Sequence, residues 1–158
     1  MTAAELIAAL RLEPLPNEGG FFRQTYVSDT RLPSSRSAGT AIYFLITPDG
    51  FSALHRLRTE EVWHFYAGDT VEHLILDPTS GKGVKTQLGI NFAVGETPQL
   101  VVPGGTWQGA RLTAGGAWAL LGCTMSPGWD EREFTLGDRA DLAAQFPDWT
   151  ADIRAFTR

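Results

Sequence analysis

The middle of the chain consists of short runs of β-branched and aromatic residues that alternate with glycine- and proline-rich turns. The runs FFRQTYV at 21–27 and TAIYFLIT at 40–47 are typical of strands, and the turn PDG at 48–50 follows the second of them. Roughly eight to ten such strands follow one another along the middle of the chain. The pattern therefore predicts an all-β domain, either a sandwich or a small barrel.

Helical signals are confined to the two ends of the sequence. Thr2 and Glu5 form a capping box, which predicts a short N-terminal helix. A C-terminal helix is expected to begin near Asp138 and to end before Pro147. A chain of 158 residues without an internal repeat or a low-complexity linker suits one domain. We therefore expect a single domain over residues 1–158, with its barrel core at about 20–136.

The composition narrows the range of partners. The net charge is −5 and the pI is about 5.1, whereas nucleic-acid-binding domains normally present a basic face, so we expect no nucleic-acid partner. No apolar run approaches the ~18 residues of a membrane helix, and no signal peptide is visible, so we expect no membrane partner. The single cysteine, Cys123, cannot form an internal disulfide and fits a reducing compartment. We therefore expect a cytoplasmic protein.

The stretch Gly50–Gly68, GFSALHRLRTEEVWHFYAG, holds the residues best suited to chemistry. Because side chains alternate along a strand, His55 and Glu61 lie on the apolar faces of two neighbouring strands, while His64 and Tyr66 point the other way. If the apolar faces line a barrel, His55 and Glu61 share one cavity. Such a pair can bind a divalent metal or act as acid and base, or it can simply form a hydrogen-bonded pair within the fold.

This stretch resembles the first motif of the cupin superfamily, G-x5-H-x-H-x3-4-E-x6-G. Gly50, His55, Glu61 and Gly68 occupy the matching positions. The opening gap is one residue short, and Leu57 replaces the second histidine.

The second cupin motif, G-x5-P-x-G-x2-H-x3-N, resembles residues 95–112. Gly95, Pro103 and Gly105 match, but the opening gap is two residues longer. Gln108 replaces the histidine and Leu112 replaces the asparagine.

A narrower resemblance extends over nearly the whole chain. Five blocks in order, NEGGFFRQTY, AIYFLIT, EVWHFYAGD, VVPGGTWQGARL and GCTMSPGWD, are similar to one branch of single-domain cupins, the domain of unknown function 985. This branch belongs to the RmlC-like group, which is named for a sugar-nucleotide epimerase. The resemblance implies a double-stranded β-helix, a jelly-roll-like barrel with short helices at its termini, and a homodimer.

The resemblance also implies a candidate metal site. Cupins usually hold a metal through three histidines and one glutamate, and at those positions this chain has His55, Leu57, Glu61 and Gln108. Leu57 cannot ligate, and an amide oxygen is a weak ligand for transition metals. The hypothesis is a divalent metal held by His55, Glu61 and Gln108, with water or substrate completing the shell.

Further residues are candidates for ligand contact. Three aromatic residues are predicted to form an aromatic wall of the pocket. Two arginines are predicted to bind a phosphate or carboxylate group, and a tyrosine is predicted to contribute a phenol group. They are Trp63, Phe65 and Trp107; Arg23 and Arg36; and Tyr43. The alternatives are core packing for the aromatic residues and surface ion pairs for the arginines.

Three functions remain open on the sequence. The first is an isomerase or epimerase acting on a carbohydrate or nucleotide-sugar-like ligand, with His55 as base, assisted by Glu61. The second is a non-catalytic module that binds a small ligand. The third is a metal-dependent cupin enzyme with a reduced ligand set. Because fold does not determine function, the resemblance does not choose among them.

Overall fold

The computed structural model describes residues 1–158. Three α-helices lie near the two ends of the chain, α1 (Ala3–Leu10), α2 (Arg139–Gln145) and α3 (Thr150–Ala155). The strands are β1 (Glu13–Pro14), β2 (Phe21–Val27), β3 (Thr40–Ile46), β4 (Ser52–Arg56), β5 (Glu61–Gly68), β6 (Val71–Asp77), β7 (Lys82–Leu88), β8 (Gln99–Val102), β9 (Trp107–Leu112), β10 (Ala119–Met125) and β11 (Thr135–Leu136). The prediction of an all-β domain with short helices at both ends of the chain is confirmed.

The strands form two antiparallel sheets that face each other. The six-stranded sheet has the order β1-β2-β3-β10-β5-β8, and the five-stranded sheet has the order β11-β4-β9-β6-β7. β4 and β5 follow each other in the chain but belong to different sheets. Residues 57–60 therefore cross from one sheet to the other, so that side chains on β4 and β5 can meet across the interior.

The main hydrophobic core lies between the two sheets. It is built from alternate residues of each strand, as expected when one face of a strand is buried. On β5 the buried residues are Glu61, Trp63 and Phe65, whereas Val62 and His64 are half-buried. Phe44, Leu121, Val71 and Ala110, among others, complete this core. The alternation predicted for β5 is thus the one observed.

The outer face of the five-stranded sheet is covered by the two C-terminal helices. Leu142 of α2 and Ile153 of α3 pack with Leu54, Leu74 and other residues of that face. The Asp138 side chain accepts hydrogen bonds from the first backbone N–H groups of α2, which caps the helix where the sequence predicted its start.

The outer face of the six-stranded sheet is only partly covered. Leu6 of α1 packs against Leu45 and its neighbours on that side. Beyond α1, the side chains of Tyr26, Tyr66 and Val101 are 55%, 51% and 52% exposed. None of the helices is long and apolar enough to cross a membrane.

Candidate functional site

A cavity of about 530 Å³ opens between the two sheets at the end where the 13–18 and 129–134 segments meet. Its walls combine apolar side chains with several polar and charged ones. The lining residues on which the arguments below depend are Phe22, Phe44 and Phe134, and the charged or titratable residues Glu18, His55 and Glu61. A pocket of this size that combines apolar walls with convergent polar groups is typical of a binding site for a small organic molecule.

His55 lies on β4 with its ring fixed on three sides. In the β4–β9 ladder it stands directly opposite Gln108, so the two side chains share the inner face. Its Nδ1 donates a hydrogen bond to the Ala53 carbonyl at 2.9 Å, and its ring stacks on Phe134 with centroids 5.4 Å apart. Nε2 has no hydrogen-bond partner within the protein, and this atom is not fully buried. This nitrogen is therefore the one available to a ligand.

Glu18 approaches His55 from a tight turn before β2. Its Oε1 lies 3.9 Å from His55 Nδ1 and accepts a hydrogen bond from Ser52 Oγ at 2.6 Å. The turn depends on Gly19 and Gly20, whose φ angles are +100° and +74°, a region that residues with a Cβ rarely adopt. The two glycines thus let the chain bring the Glu18 carboxylate to the edge of the cavity.

Glu61 lies on β5, in the opposite sheet, and its carboxylate is held by two neutral donors. Glu61 Oε2 accepts hydrogen bonds from Trp63 Nε1 at 3.1 Å and from Gln108 Nε2 at 2.9 Å. Trp63 Nε1 also donates to Gln108 Oε1 at 2.9 Å. This three-residue network connects the sheets across the interior. Oε1 of Glu61 has no partner within the protein and is not buried away from the cavity.

Burial controls the protonation of Glu61. Removal from water raises the pKa of its carboxyl to about 7, since the charged form loses its hydration. The nearby Glu18 charge raises the pKa further, whereas His55 and the two donors lower it. Glu61 can therefore exchange a proton near neutral pH, as a general acid or base requires.

His73 lies beneath this network and was not predicted to belong to the site. It is fully buried, its ring centroid is 4.9 Å from that of Trp63, and neither ring nitrogen has a partner. Burial lowers its pKa to about 3, so the ring is neutral at physiological pH. His73 thus packs under the polar network without contributing a charge.

Of the three predicted contacts from arginine and tyrosine, Arg23 lines the cavity, whereas Arg36 and Tyr43 do not. Arg36 does not line the cavity. Its guanidinium donates to Glu133 at 2.7 Å, to Thr59 and to the carbonyls of Pro127 and Gly128. Arg36 thus forms an ion pair, which was the alternative to binding an anionic ligand, and this pair is mostly buried rather than at the surface.

Arg23 and Tyr43 contact each other on neighbouring strands, but only Arg23 lines the cavity. Tyr43 packs with Leu6 and Leu12, and does not reach the cavity. Arg23 contributes to the cavity rim, and its guanidinium carbon lies 5.3 Å from the Tyr43 ring centroid. Arg23 is therefore the predicted arginine that the structure places at the cavity.

The predicted aromatic wall is also different. Trp63 and Phe65 are in the core between the sheets, and Trp107 packs on the other face of its sheet with Phe146 and Ile153. The aromatic rings that do line the cavity come from Phe22, Phe44, Trp129 and Phe134. The alternation of β9 explains the difference, because the inward position belongs to Gln108 and its neighbour Trp107 must then point outward.

The side chains present do not fit a cupin metal centre. Gln108 Oε1 accepts the indole N–H, and one oxygen of Glu61 is occupied by two donors. Leu57 lines the cavity at the position where the cupin motif has its second histidine. No group of three or more His, Cys, Asp or Glu side chains is arranged to hold a metal ion.

Sequence reasoning missed Glu18 and Phe134. Glu18 belongs to the NEGG block that carries the resemblance, and a carboxylate beside two glycines was a usable signal. Phe134 follows the short 3₁₀ turn Glu131–Glu133, and nothing local indicates that its ring reaches His55, which is 79 residues away in the sequence. Cys123 lines the cavity, and burial raises the pKa of its thiol, so it is not a reactive thiolate.

Comparisons with known proteins agree with this architecture. The chain is similar to the structure of protein SO0799 from Shewanella oneidensis, with 35% identity, a TM-score of 0.93, and coverage of 100% of this chain and 98% of that one. A hypothetical protein from Leishmania major is 31% identical, with a TM-score of 0.91 and 99% coverage of both chains. The uncharacterized protein YML079W of Saccharomyces cerevisiae is 24% identical over 75% of this chain and 67% of that protein.

More distant structures share the fold alone. Oxalate decarboxylase from Bacillus subtilis is 17% identical with a TM-score of 0.58, and the match covers 92% of this chain and 37% of the enzyme. A sequence profile of the family described as "Cupin superfamily (DUF985)" matches residues 4–137. The chain therefore belongs to the cupin superfamily, in its DUF985 branch.

Proposed function

We propose that this protein binds a small organic ligand in the cavity and moves a proton to and from one of its carbon atoms, as an isomerase or epimerase does. The observation that supports the proposal is that one cavity is lined by two residues with an atom free of protein partners, His55 at Nε2 and Glu61 at Oε1. Both side chains are more than nine-tenths buried, at 1% and 7% exposure. Two titratable groups in such an environment are suited to act as base and acid.

The proposed mechanism uses only these groups. His55 Nε2 takes a proton from a carbon next to a carbonyl, and the electron pair moves to the carbonyl oxygen. The protonated Glu61 carboxyl donates to that oxygen and so stabilises the enolate. His55 then returns the proton to carbon, and Glu61 takes back a proton from oxygen. Return to the same carbon after the enol has turned its other face to His55 gives the epimer, and return to the former carbonyl carbon of an α-hydroxy carbonyl compound gives the isomer. The Glu18 carboxylate, 3.9 Å from Nδ1, favours the imidazolium that forms at His55.

Solvent exchange tests the reaction. The protein is incubated in deuterated water with nucleotide sugars, free ketoses and amino ketones, and loss of carbon-bound hydrogen is followed by NMR. We expect exchange with at least one compound class, and we expect His55→Gln to slow it by about 10²–10⁴-fold, the usual contribution of a general base.

The matched control is His64→Gln. His64 lies on the outer face of β5, where its ring hydrogen-bonds Thr124 and Gln99, so this variant should exchange at the unmodified rate. Binding without exchange across the panel would favour the alternative, a non-catalytic binding module, and would reject the proposed reaction.

We also propose that the protein is a cytoplasmic homodimer, joined through the outer face of the six-stranded sheet. The support for the interface is that Tyr26, Tyr66 and Val101 leave half-exposed apolar surface on that face, whereas helices cover the equivalent face of the other sheet. Light scattering should give twice the chain mass of 17.2 kDa, and Tyr66→Glu with Val101→Glu should give the single mass. A wild-type protein at the single mass at micromolar concentration would contradict the dimer.

A further inference from the structure

The charged groups around the cavity have an unequal balance of sign. Four glutamates line it, Glu13, Glu18, Glu61 and Glu131, but only one arginine, Arg23. The guanidinium carbon of that arginine lies 5.3 Å from the Tyr43 ring centroid. The formal charges that line the cavity are therefore mostly negative when Glu61 is ionised, which disfavours an anionic ligand.

Glu61 has an oxygen free for a ligand. Its Oε2 accepts both protein donors, whereas Oε1 has none. The residue is only 7% exposed, so the charge that it carries when ionised is poorly hydrated. A positively charged group in the cavity would compensate that charge, because attraction is stronger where water is excluded.

The aromatic lining provides a second, independent attraction. The rings of Phe22, Phe44, Phe134 and Trp129 line the same cavity as Glu61. Aromatic faces attract ammonium groups through their quadrupoles, with the strongest effect at Trp and where water is displaced. Trp129 is 49% exposed at the mouth, where a cationic ligand would first contact the cavity.

We propose that the ligand is a small organic cation, an amine attached to an apolar or weakly polar body, held in the cavity by the negative charge of the carboxyl groups that line it. This inference rests on the proposed function in one respect, since it places the ligand in the same cavity. It narrows the substrate class, because it places amine-bearing carbonyl compounds ahead of nucleotide sugars, whose phosphates would meet the carboxyl groups.

Three probes that share a phenyl ring and are similar in size test the charge preference: benzylamine, benzyl alcohol and benzoate. Their dissociation constants are measured at pH 8 by ligand-observed NMR on the full chain. We expect benzylamine to bind at least about tenfold more tightly than benzoate, with benzyl alcohol between them. Glu61→Gln should weaken benzylamine binding at least about tenfold and leave benzyl alcohol within about twofold.

The matched control is Glu60→Gln, which removes the same charge from the neighbouring residue. Glu60 is exposed and does not line the cavity, so benzylamine should bind this variant as it binds the wild type. Circular dichroism shows whether each variant is folded, and Glu131→Gln at the mouth provides a second variant that does not touch the buried network.

The outcomes separate this inference from the proposed function. Benzoate binding as tightly as benzylamine, or no binding of any probe, overturns the cationic ligand, and the exchange experiment then still tests proton transfer. A clear preference for benzylamine together with no solvent exchange supports the cationic ligand and rejects the reaction. An equal loss of benzylamine binding in Glu60→Gln and Glu61→Gln would show a general charge effect and would also overturn the proposal.

Discussion

The change in the free energy of unfolding caused by Glu61→Gln should be about 3 kcal/mol more favourable to the folded state at pH 8 than at pH 4. The reason is the buried carboxyl group, whose pKa in the folded protein is about 7, compared with 4.5 for an unperturbed glutamate. Glutamine keeps an oxygen for the two donors, Trp63 and Gln108, and carries no charge. Urea unfolding measured from pH 4 to pH 8 checks the difference between the two proteins.

The sign follows from proton binding. Between about pH 4.5 and 7 the folded state holds a proton on Glu61 that the unfolded state has released. Stability therefore falls as pH rises through this window, and the loss is complete above the folded-state pKa, where both states are ionised. Replacing the ionisable group removes this contribution, so the variant should lose less stability than the wild type between pH 4 and 8.

Glu60→Gln is the control for other titrating groups. The Glu60 side chain is exposed, so the free energy of unfolding of the Glu60→Gln variant should follow the wild-type pH dependence. Parallel curves for wild type and Glu61→Gln would show that Glu61 has no raised pKa, and the acid proposed for the reaction would then be lost as well. The expected gain in stability with loss of function is typical of active-site residues.

Trp63→Ala should lower the free energy of unfolding by about 3–5 kcal/mol. The side chain is 1% exposed in the core between the sheets, and its ring packs edge-on to Phe44 and His73. The substitution leaves a large void and removes a donor to Glu61 Oε2. Denaturant unfolding at pH 6 measures the loss.

Trp63→Phe separates packing from hydrogen bonding. It keeps much of the ring volume and removes only the N–H, so the loss should be smaller, about 1–2 kcal/mol, and the pKa of Glu61 should rise. The control is Trp129→Ala, which truncates a 49% exposed indole and should change the free energy by less than about 0.5 kcal/mol. A similar loss for Trp129 and Trp63 would contradict the burial argument.

Much of the fold was predictable because the strand signals are local. The alternation of β5 identifies Glu61, Trp63 and Phe65 as inward residues, and the same rule places His55 inward on β4. Glycine- and proline-rich turns mark where strands end. The capped helices at both ends follow from short-range signals, a Thr2–Glu5 capping box and an Asp138 cap.

The details of the site were less predictable because they depend on contacts between distant residues. The ion pair of Arg36 with Glu133 joins residues that are 97 positions apart in the sequence. The sequence therefore could not decide between an ion pair and a contact with an anionic ligand for Arg36. Trp107 was assigned to the pocket together with Gln108, although adjacent residues on one strand must face opposite sides.

The sequence by itself determined that this is a cupin of the DUF985 branch in which His55 and Glu61 face inward, since periodicity and motif spacing are local properties. Only the tertiary structure decided what those residues face. It brings Glu18 to His55, engages Gln108 with Trp63 instead of leaving it free to bind a metal, and excludes water from Glu61. The physical reason is that hydrogen-bond partners and desolvation are set by the packing of two sheets, which no short stretch of sequence specifies.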